Sequence, residues 1–181
     1  EAFIFENNLE IDIKEINEGV FFKSNDYILK TKELDHRIKC LGFSLEEKNR
    51  HRVVMSKVKK LGLMPGPLLG KLQKGRTVVF NGKTIKAEQV TEIIKGRKIT
   101  YITDTAICKP CFQLAKNSDL LISESTYSSK FEEKAKKYKH MTASQAASIA
   151  LKSKSKQLIL THFSQRFKTT TLLVKEARSI F

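Results

Sequence analysis

From Lys98 to the C-terminus, short apolar runs alternate with helical stretches, and three of those runs end on a chemically capable side chain. Ile99-Thr-Tyr-Ile-Thr103 leads into Asp104, Asp119-Leu-Leu-Ile-Ser123 into Glu124, and Gln157-Leu-Ile-Leu-Thr161 into His162. Buried strands of this length separated by helices build an α/β layer structure. In open α/β sheets the carboxyl ends of strands are where ligands bind. Two acids and a histidine at three such ends read as one site.

Upstream the pattern is β. Leu9, Ile11 and Ile13 alternate with polar neighbours, Val20-Phe21-Phe22 and Tyr27-Ile28-Leu29 follow, and Ile38 to Leu45 is a further short strand region. The chain opens at Glu1 on a strand-like Ala2-Phe-Ile-Phe5, which reads as the middle of a protein. Val53 to Leu61 has helical spacing, broken at Gly62-Leu-Met-Pro65-Gly66-Pro67. Asn81-Gly82 between two β-rich triplets signals a hairpin with a type I′ turn. Glu88 to Lys95 reads as a short helix or turn ended by Gly96. Helices are expected near 110–117, 129–139, 142–152 and 169–181, the third opened by Thr142-Ala-Ser-Gln145 as a capping box. No run approaches the ~20 apolar residues of a membrane span, and no secretory pattern opens the chain. Three cysteines do not make a disulfide framework, so a reducing cytoplasm is expected.

Carboxylate oxygen and imidazole nitrogen are natural ligands of zinc and similar divalent ions. Asp104, His162 and His36 supply them, with Thr105 and Thr161 adjacent to orient ligands through hydrogen bonds. Asp104-Thr105 also fits a helix N-cap after a strand, and His36 also fits a surface loop. His140, just before the capping box, reads as a general acid or base oriented by Glu124. Ser164 and Arg166 follow His162 closely, and a hydroxyl with a guanidinium suits a phosphate. Cys108-Lys-Pro-Cys111 has no second CxxC to complete a zinc ribbon, so helix-start structure after Asp104 is the better account.

The charge narrows the substrate. Thirty-four Lys and Arg against nineteen Asp and Glu give +15. A surplus of that size fits a polyanionic partner, because neutralised phosphates release counterions, although a lysine-rich proteome would also produce it. Residues 48–76 hold nine Lys and Arg and no acid. With its Gly/Pro-rich centre, this segment reads as a cationic module that grips a nucleic-acid backbone without reading bases. A solvated charged helix is the plainer alternative.

Six segments carry a resemblance to the tRNA 3′-processing endonuclease family, RNase Z, of the metallo-β-lactamase fold. They are Asp35-His36-Arg-Ile-Lys-Cys-Leu-Gly-Phe43 followed by Glu46; Pro65-Gly66-Pro67-Leu-Leu-Gly-Lys-Leu with Gly75; Tyr101-Ile-Thr-Asp104-Thr105; Leu121-Ile-Ser-Glu124-Ser-Thr-Tyr127; Lys139-His140-Met-Thr142-Ala-Ser-Gln145-Ala; and Leu160-Thr-His162-Phe-Ser164-Gln-Arg166-Phe. The resemblance implies an α/β fold, the αββα sandwich of that fold seen in its C-terminal half, with residues 48–76 as a protruding tRNA-binding arm. It implies His36 on one metal ion, His162 on the other and Asp104 bridging both, the ions being two Zn2+, with Mn2+ or Mg2+ as substitutes. His140 with Glu124 is then the proton donor to the leaving oxygen, and Ser164 and Arg166 lie near the phosphate or 3′ end. In the arm, Arg50, Arg52, Lys57, Lys59, Lys60, Lys71, Lys74 and the turn Pro65, Gly66, Pro67 would touch RNA. The implied reaction is hydrolysis of precursor tRNA by a metal-activated hydroxide, leaving a 3′ hydroxyl, in a cytoplasmic homodimer with no membrane contact.

One departure from the family pattern is large: its His-x-His-x-Asp-His loop is nowhere in this chain. A catalytic zinc takes about three protein ligands. These 181 residues alone are therefore expected to bind metal weakly and to cut nothing, an N-terminal half being missing from the sequence. Two competing readings stay open: a metallo-β-lactamase-fold phosphodiesterase or sulfatase, and a basic RNA-binding module without chemistry.

Overall fold

A computed structural model of the protein describes residues 13–181. The strand expected at Ala2–Phe5 and the alternation at Leu9 and Ile11 lie outside the described residues. Ile13 lies in irregular backbone. The main body is a six-stranded sheet. Its strands are β1 (Gly19–Lys23), β2 (Tyr27–Leu34), β3 (Cys40–Glu47), β8 (Lys98–Ile102), β9 (Leu120–Glu124) and β10 (Leu158–Thr161), in that spatial order. From β1 to β8 each strand runs antiparallel to the one before it, and β8, β9 and β10 are mutually parallel. Parallel neighbours need crossover helices. Here α4 (Lys109–Ala115) joins β8 to β9, while α5 (Glu132–Tyr138) and α6 (Ala143–Lys152) join β9 to β10. Helix α7 (Thr171–Arg178) closes the chain against α6.

Strand alternation decides which face is covered. Thr100, Ile102, Leu121 and Ser123 are buried, and Ile102 and Leu121 join Leu34, Cys111, Leu114, Met141 and Ile149 in one core. Helix α6 fits close because it presents Ala143, Ala146, Ala147 and Ala150, all buried. The intervening residues form the opposite row. Phe43, Tyr101, Ile122 and Ile159 are successive cross-strand partners, and Phe43, Tyr101 and Ile159 are exposed. The body is thus half of the αββα sandwich: one sheet with helices on one face. A second sheet stacked on the other face is absent among the described residues.

The expected capping box is present. Thr142 Oγ1 accepts from Gln145 N, and Gln145 Oε1 accepts from Thr142 N. The Asn81-Gly82 hairpin joins β5 (Val78–Phe80) to β6 (Lys83–Ile85), with φ of 48° and 72° at its two central residues, as a type I′ turn requires.

The arm departs from the expected bounds. The helix expected over Val53 to Leu61 is present as α1 (Met55–Lys60), but β4 (Arg50–Val53) precedes it and α2 (Pro67–Gln73) follows the Gly/Pro break. Instead of a helix or turn over Glu88 to Lys95, α3 (Ala87–Val90) leads into β7 (Thr91–Ile94), which pairs antiparallel with β4. The excursion therefore runs from about 48 to 96, not 48 to 76. It has its own core of Val58, Leu63, Leu72, Val78, Ile85, Ala87 and Val90. At its root two chain passages cross. Gly96 N donates to Asn49 Oδ1 and Glu47 N to the Arg97 carbonyl, and a Cβ on Gly96 would fall 2.0 Å from the Glu47 carbonyl oxygen. Only glycine fits that approach.

Candidate metal centre

The loops after β8, β9 and β10 converge at one end of the sheet, where two further segments meet them. These are Asp35-His36 after β2 and Lys139-His140 between α5 and α6. Asp104, Lys139 and His162 all have left-handed backbone, with φ of 49°, 60° and 57°. Non-glycine residues hold such conformations at about 1–3 kcal/mol each, only where the surroundings fix them. The fixing groups are hydrogen bonds to neighbouring loops. Thr105 is fully buried: its N donates to Glu124 Oε1 at 2.6 Å, and its hydroxyl oxygen accepts from Asp35 N at 3.1 Å. Asp104 is therefore not a helix N-cap; that position in α4 belongs to Cys108.

Glu124 is also fully buried and makes four contacts. It accepts from Thr105 N, from Met141 N at 3.1 Å and from the Thr126 hydroxyl at 2.7 Å, and faces His140 Nδ1 at 3.2 Å. A buried carboxylate is tolerated only when saturated in this way. His36 Nδ1 lies 3.1 Å from the Lys139 carbonyl oxygen, and the Lys139 ammonium pairs with Asp35 at 2.9 Å. His162 Nδ1 lies 2.8 Å from Thr126 Oγ1.

Donor accounting fixes the protons. A carbonyl oxygen and a carboxylate only accept, so His36 and His140 each place a proton on Nδ1. The single Thr126 proton goes to Glu124, so the same hydroxyl must accept from His162 Nδ1. In each of the three imidazoles this leaves Nε2 as the lone-pair nitrogen. His162 Nε2 stands 3.3 Å from Asp104 Oδ1. Two bare acceptors at that distance repel, and a proton or a metal ion between them removes the repulsion. The donor set and its spacing fit a divalent cation.

The expected site residues fall into two places. His36, Asp104, Glu124, His140 and His162 come together, the rings of His36 and His162 each lying 5.3 Å from that of His140. The tightest potential ligand group among the described residues is Asp104, His140 and His162, whose ligand atoms lie within 4.8 Å of one another; His36 stands one ring further along. Ser164 N donates to the Thr126 carbonyl, its hydroxyl accepts from Arg166 Nε at 3.0 Å, and the Arg166 guanidinium lies over Tyr127 and Phe131 at 5.2 and 5.0 Å. The remaining candidates belong to the arm. Arg50, Lys59, Lys60, Lys71 and Lys74 are exposed, as are Pro65, Gly66 and Pro67. Arg52 and Lys57 both pair with Glu92 on β7.

Thr126 is the residue sequence reasoning missed. It ties Glu124 to His162, whereas no side-chain bond from Thr161 to His162 is found. Its signal was available: a hydroxyl two residues past a strand-end acid, at the chain's turn toward the next histidine.

The beta-lactamase superfamily domain pattern matches residues 67–163. Ribonuclease Z of Bacillus cereus strain AH187 is 39% identical over 177 residues, covering 94% of this chain and 58% of that protein; ribonuclease Z of Bacillus thuringiensis strain Al Hakam is 38% identical over the same coverage. The chain therefore spans somewhat over half the length of these curated relatives. Human tRNase Z, short form, superposes with a TM-score of 0.52 and 27% identity, over 82% of this chain and 41% of that one. The metallo-beta-lactamase fold protein YhfI from Bacillus subtilis superposes with a TM-score of 0.56 at 17% identity, over 88% of this chain and 46% of that one, a likeness of fold. No helix among the described residues is long and apolar enough to cross a membrane. The chain belongs to the beta-lactamase superfamily, has the metallo-β-lactamase fold, and is akin in sequence to ribonuclease Z along nearly its whole length.

Proposed function

We propose that this chain forms the C-terminal part of a metal-dependent endoribonuclease that removes the 3′ trailer from precursor tRNA. The observation that carries the reading is the group of Asp104, His140 and His162, whose ligand atoms lie within 4.8 Å of one another, with His36 beside it and each of the three imidazoles held through Nδ1. In this reading His36, Asp104 and His162 would hold the metal, which would be zinc, with manganese or magnesium able to substitute. Bound divalent cations supply Lewis acidity toward the phosphate. The chain's own groups do the rest. His140 hands a proton from Nε2 to the oxygen that becomes the tRNA 3′ hydroxyl. Glu124 holds that imidazole in place and offsets the charge it carries. Arg166, splayed on Tyr127 and Phe131, presents its guanidinium to a phosphate, with Ser164 fixing its Nε. The arm's cations hold the body of the tRNA.

The likeness to ribonuclease Z and to human tRNase Z supports the substrate class. So does the acid-free cationic run over 48–76, which a small-substrate hydrolase has no use for. The reading extends to a cytoplasmic homodimer and to inactivity of these 181 residues by themselves. The test uses the complete protein and a precursor tRNA. His140→Ala should lower the cleavage rate about 10²–10⁴-fold while leaving RNA affinity within about twofold. Equal losses in both would remove the proton-donor role, and absence of any trailer cleavage by the unsubstituted protein with zinc would remove the reading itself.

A further inference from the structure

The CxxC of Cys108 and Cys111 takes no part in the proposed mechanism. Cys108 occupies the extended position before α4, with φ −145° and ψ 163°, and Cys111 sits in the first turn. Their sulfurs lie 3.3 Å apart. Cys111 is fully buried and Cys108 half-buried, so one sulfur can meet a reagent and the other cannot. The third cysteine, Cys40, bonds the Thr103 carbonyl instead.

We propose that Cys108 and Cys111 form a reversible thiol–disulfide exchange site whose oxidant is a small organic disulfide such as glutathione disulfide. Cys108 is the attacking sulfur. The hydrogen bond from the Cys111 thiol brings its pKa down to about 6, overriding the opposite effect of burial, and the Asp35 and Cys111 backbone and the Thr105 hydroxyl add to it. That same bond, with burial, pushes the Cys111 thiol up. At neutral pH the pair is thus one thiolate and one thiol. The thiolate attacks the disulfide, a Cys108–glutathione mixed disulfide forms, and one glutathione thiolate leaves. Cys111 then gives its proton to solvent and attacks the Cys108 sulfur. The Cys108–Cys111 bond forms and the second glutathione leaves as a thiolate that takes up the proton. The cysteines lose two electrons and one glutathione disulfide gains them.

The location gives this chemistry a consequence. Cys108 Sγ lies 3.8 Å from the Thr105 hydroxyl, and Thr105 is the residue that ties Asp35 to Glu124. The dithiol lies under the loop that carries Asp104, within reach of the support of the metal centre without belonging to it.

The test is thiol trapping and mass analysis of the protein equilibrated in glutathione buffers of rising oxidised fraction. A Cys108–Cys111 disulfide should appear and be reversed by dithiothreitol, with Cys40 alkylatable throughout. Cys111→Ser should stop at the mixed disulfide on Cys108, and Cys108→Ser should leave Cys111 unmodified. On the unsubstituted protein, iodoacetamide should alkylate Cys108 faster as pH rises through about 6, with a plateau above neutrality. No Cys108–Cys111 disulfide at any buffer ratio would overturn the proposal, and so would a Cys108 alkylation rate that rises only near the ordinary thiol range. Neither outcome bears on the histidine site, so the two proposals stand or fall separately.

Discussion

The arm and the site end of the sheet body bury different kinds of side chain. The arm's core cluster is apolar, Val58, Leu63, Leu72, Val78, Ile85, Ala87 and Val90, with Thr91 the buried polar residue, its hydroxyl donating to the Ala87 carbonyl. At the site end of the body the buried groups are polar, with Thr105, Ser123, Glu124, Ser125, Thr126 and Thr142 wound around three loops. Apolar packing is non-directional and tolerates change on its surface, so an arm can vary its cations freely. A bonded network aims atoms, and loses that aim when one member is removed. Under the proposed function, grip and chemistry should therefore be separable by mutation.

Removing 50–94 and joining Asn49 to Lys95 is the strongest test of that separation. Precursor-tRNA affinity should fall by about 10²–10³-fold and its salt dependence should flatten, as expected when several phosphate contacts go. Hydrolysis of a small phosphodiester by the complete protein should persist; loss of both would show one cooperative unit rather than two. A shorter excision of 52–74 would strip half of β4 and Val58, Leu63 and Leu72 from the arm core, so it would report misfolding instead. Next in size, Leu72→Ala removes a fully buried side chain from the arm core and should cost about 2–5 kcal/mol of local stability. Hydrogen exchange should accelerate in the arm and stay unchanged in β8, β9 and β10. Spread of the effect into the body would blur the comparison.

The body is tested by Thr126→Val, which keeps the shape and deletes the hydroxyl linking Glu124 to His162. Zinc affinity should drop about 10–100-fold, as when the partners that orient metal ligands are lost, with RNA binding untouched; competition with a chromophoric chelator reads it. The smallest expected effect is Glu92→Gln. It frees Arg52 and Lys57 from exposed ion pairs, which solvent screens. RNA affinity should rise a few-fold at low salt and not at high salt. A fall would place Glu92 in a structural rather than a competing role.

What the sequence shows of this molecule follows the range of the forces involved. The Asn81-Gly82 turn and the Thr142–Gln145 cap are local devices, satisfied within four residues, and both are present where the sequence puts them. Strands ending at Asp104, Glu124 and His162 are legible because burial periodicity and a terminal polar residue are both short-range signals. The β4–β7 pairing is not legible. It joins Arg52 to Glu92 across an intervening unit, and Val90, Ile93 and Ile94 have spacing that a helix would satisfy equally. The meeting of His36 with Lys139 and His140 is likewise a product of tertiary closure, which no local window contains. The family resemblance filled that gap by bringing an arrangement already folded.

The crossing at Gly96 has an evolutionary reading. A single methyl there would collide with the Glu47 carbonyl and swing everything beyond it, while leaving every cation and every imidazole intact. Lineages of this chain can retune what the arm touches by trading surface lysines, but they can re-aim it only by rebuilding its root, so reach should drift far more slowly than stickiness.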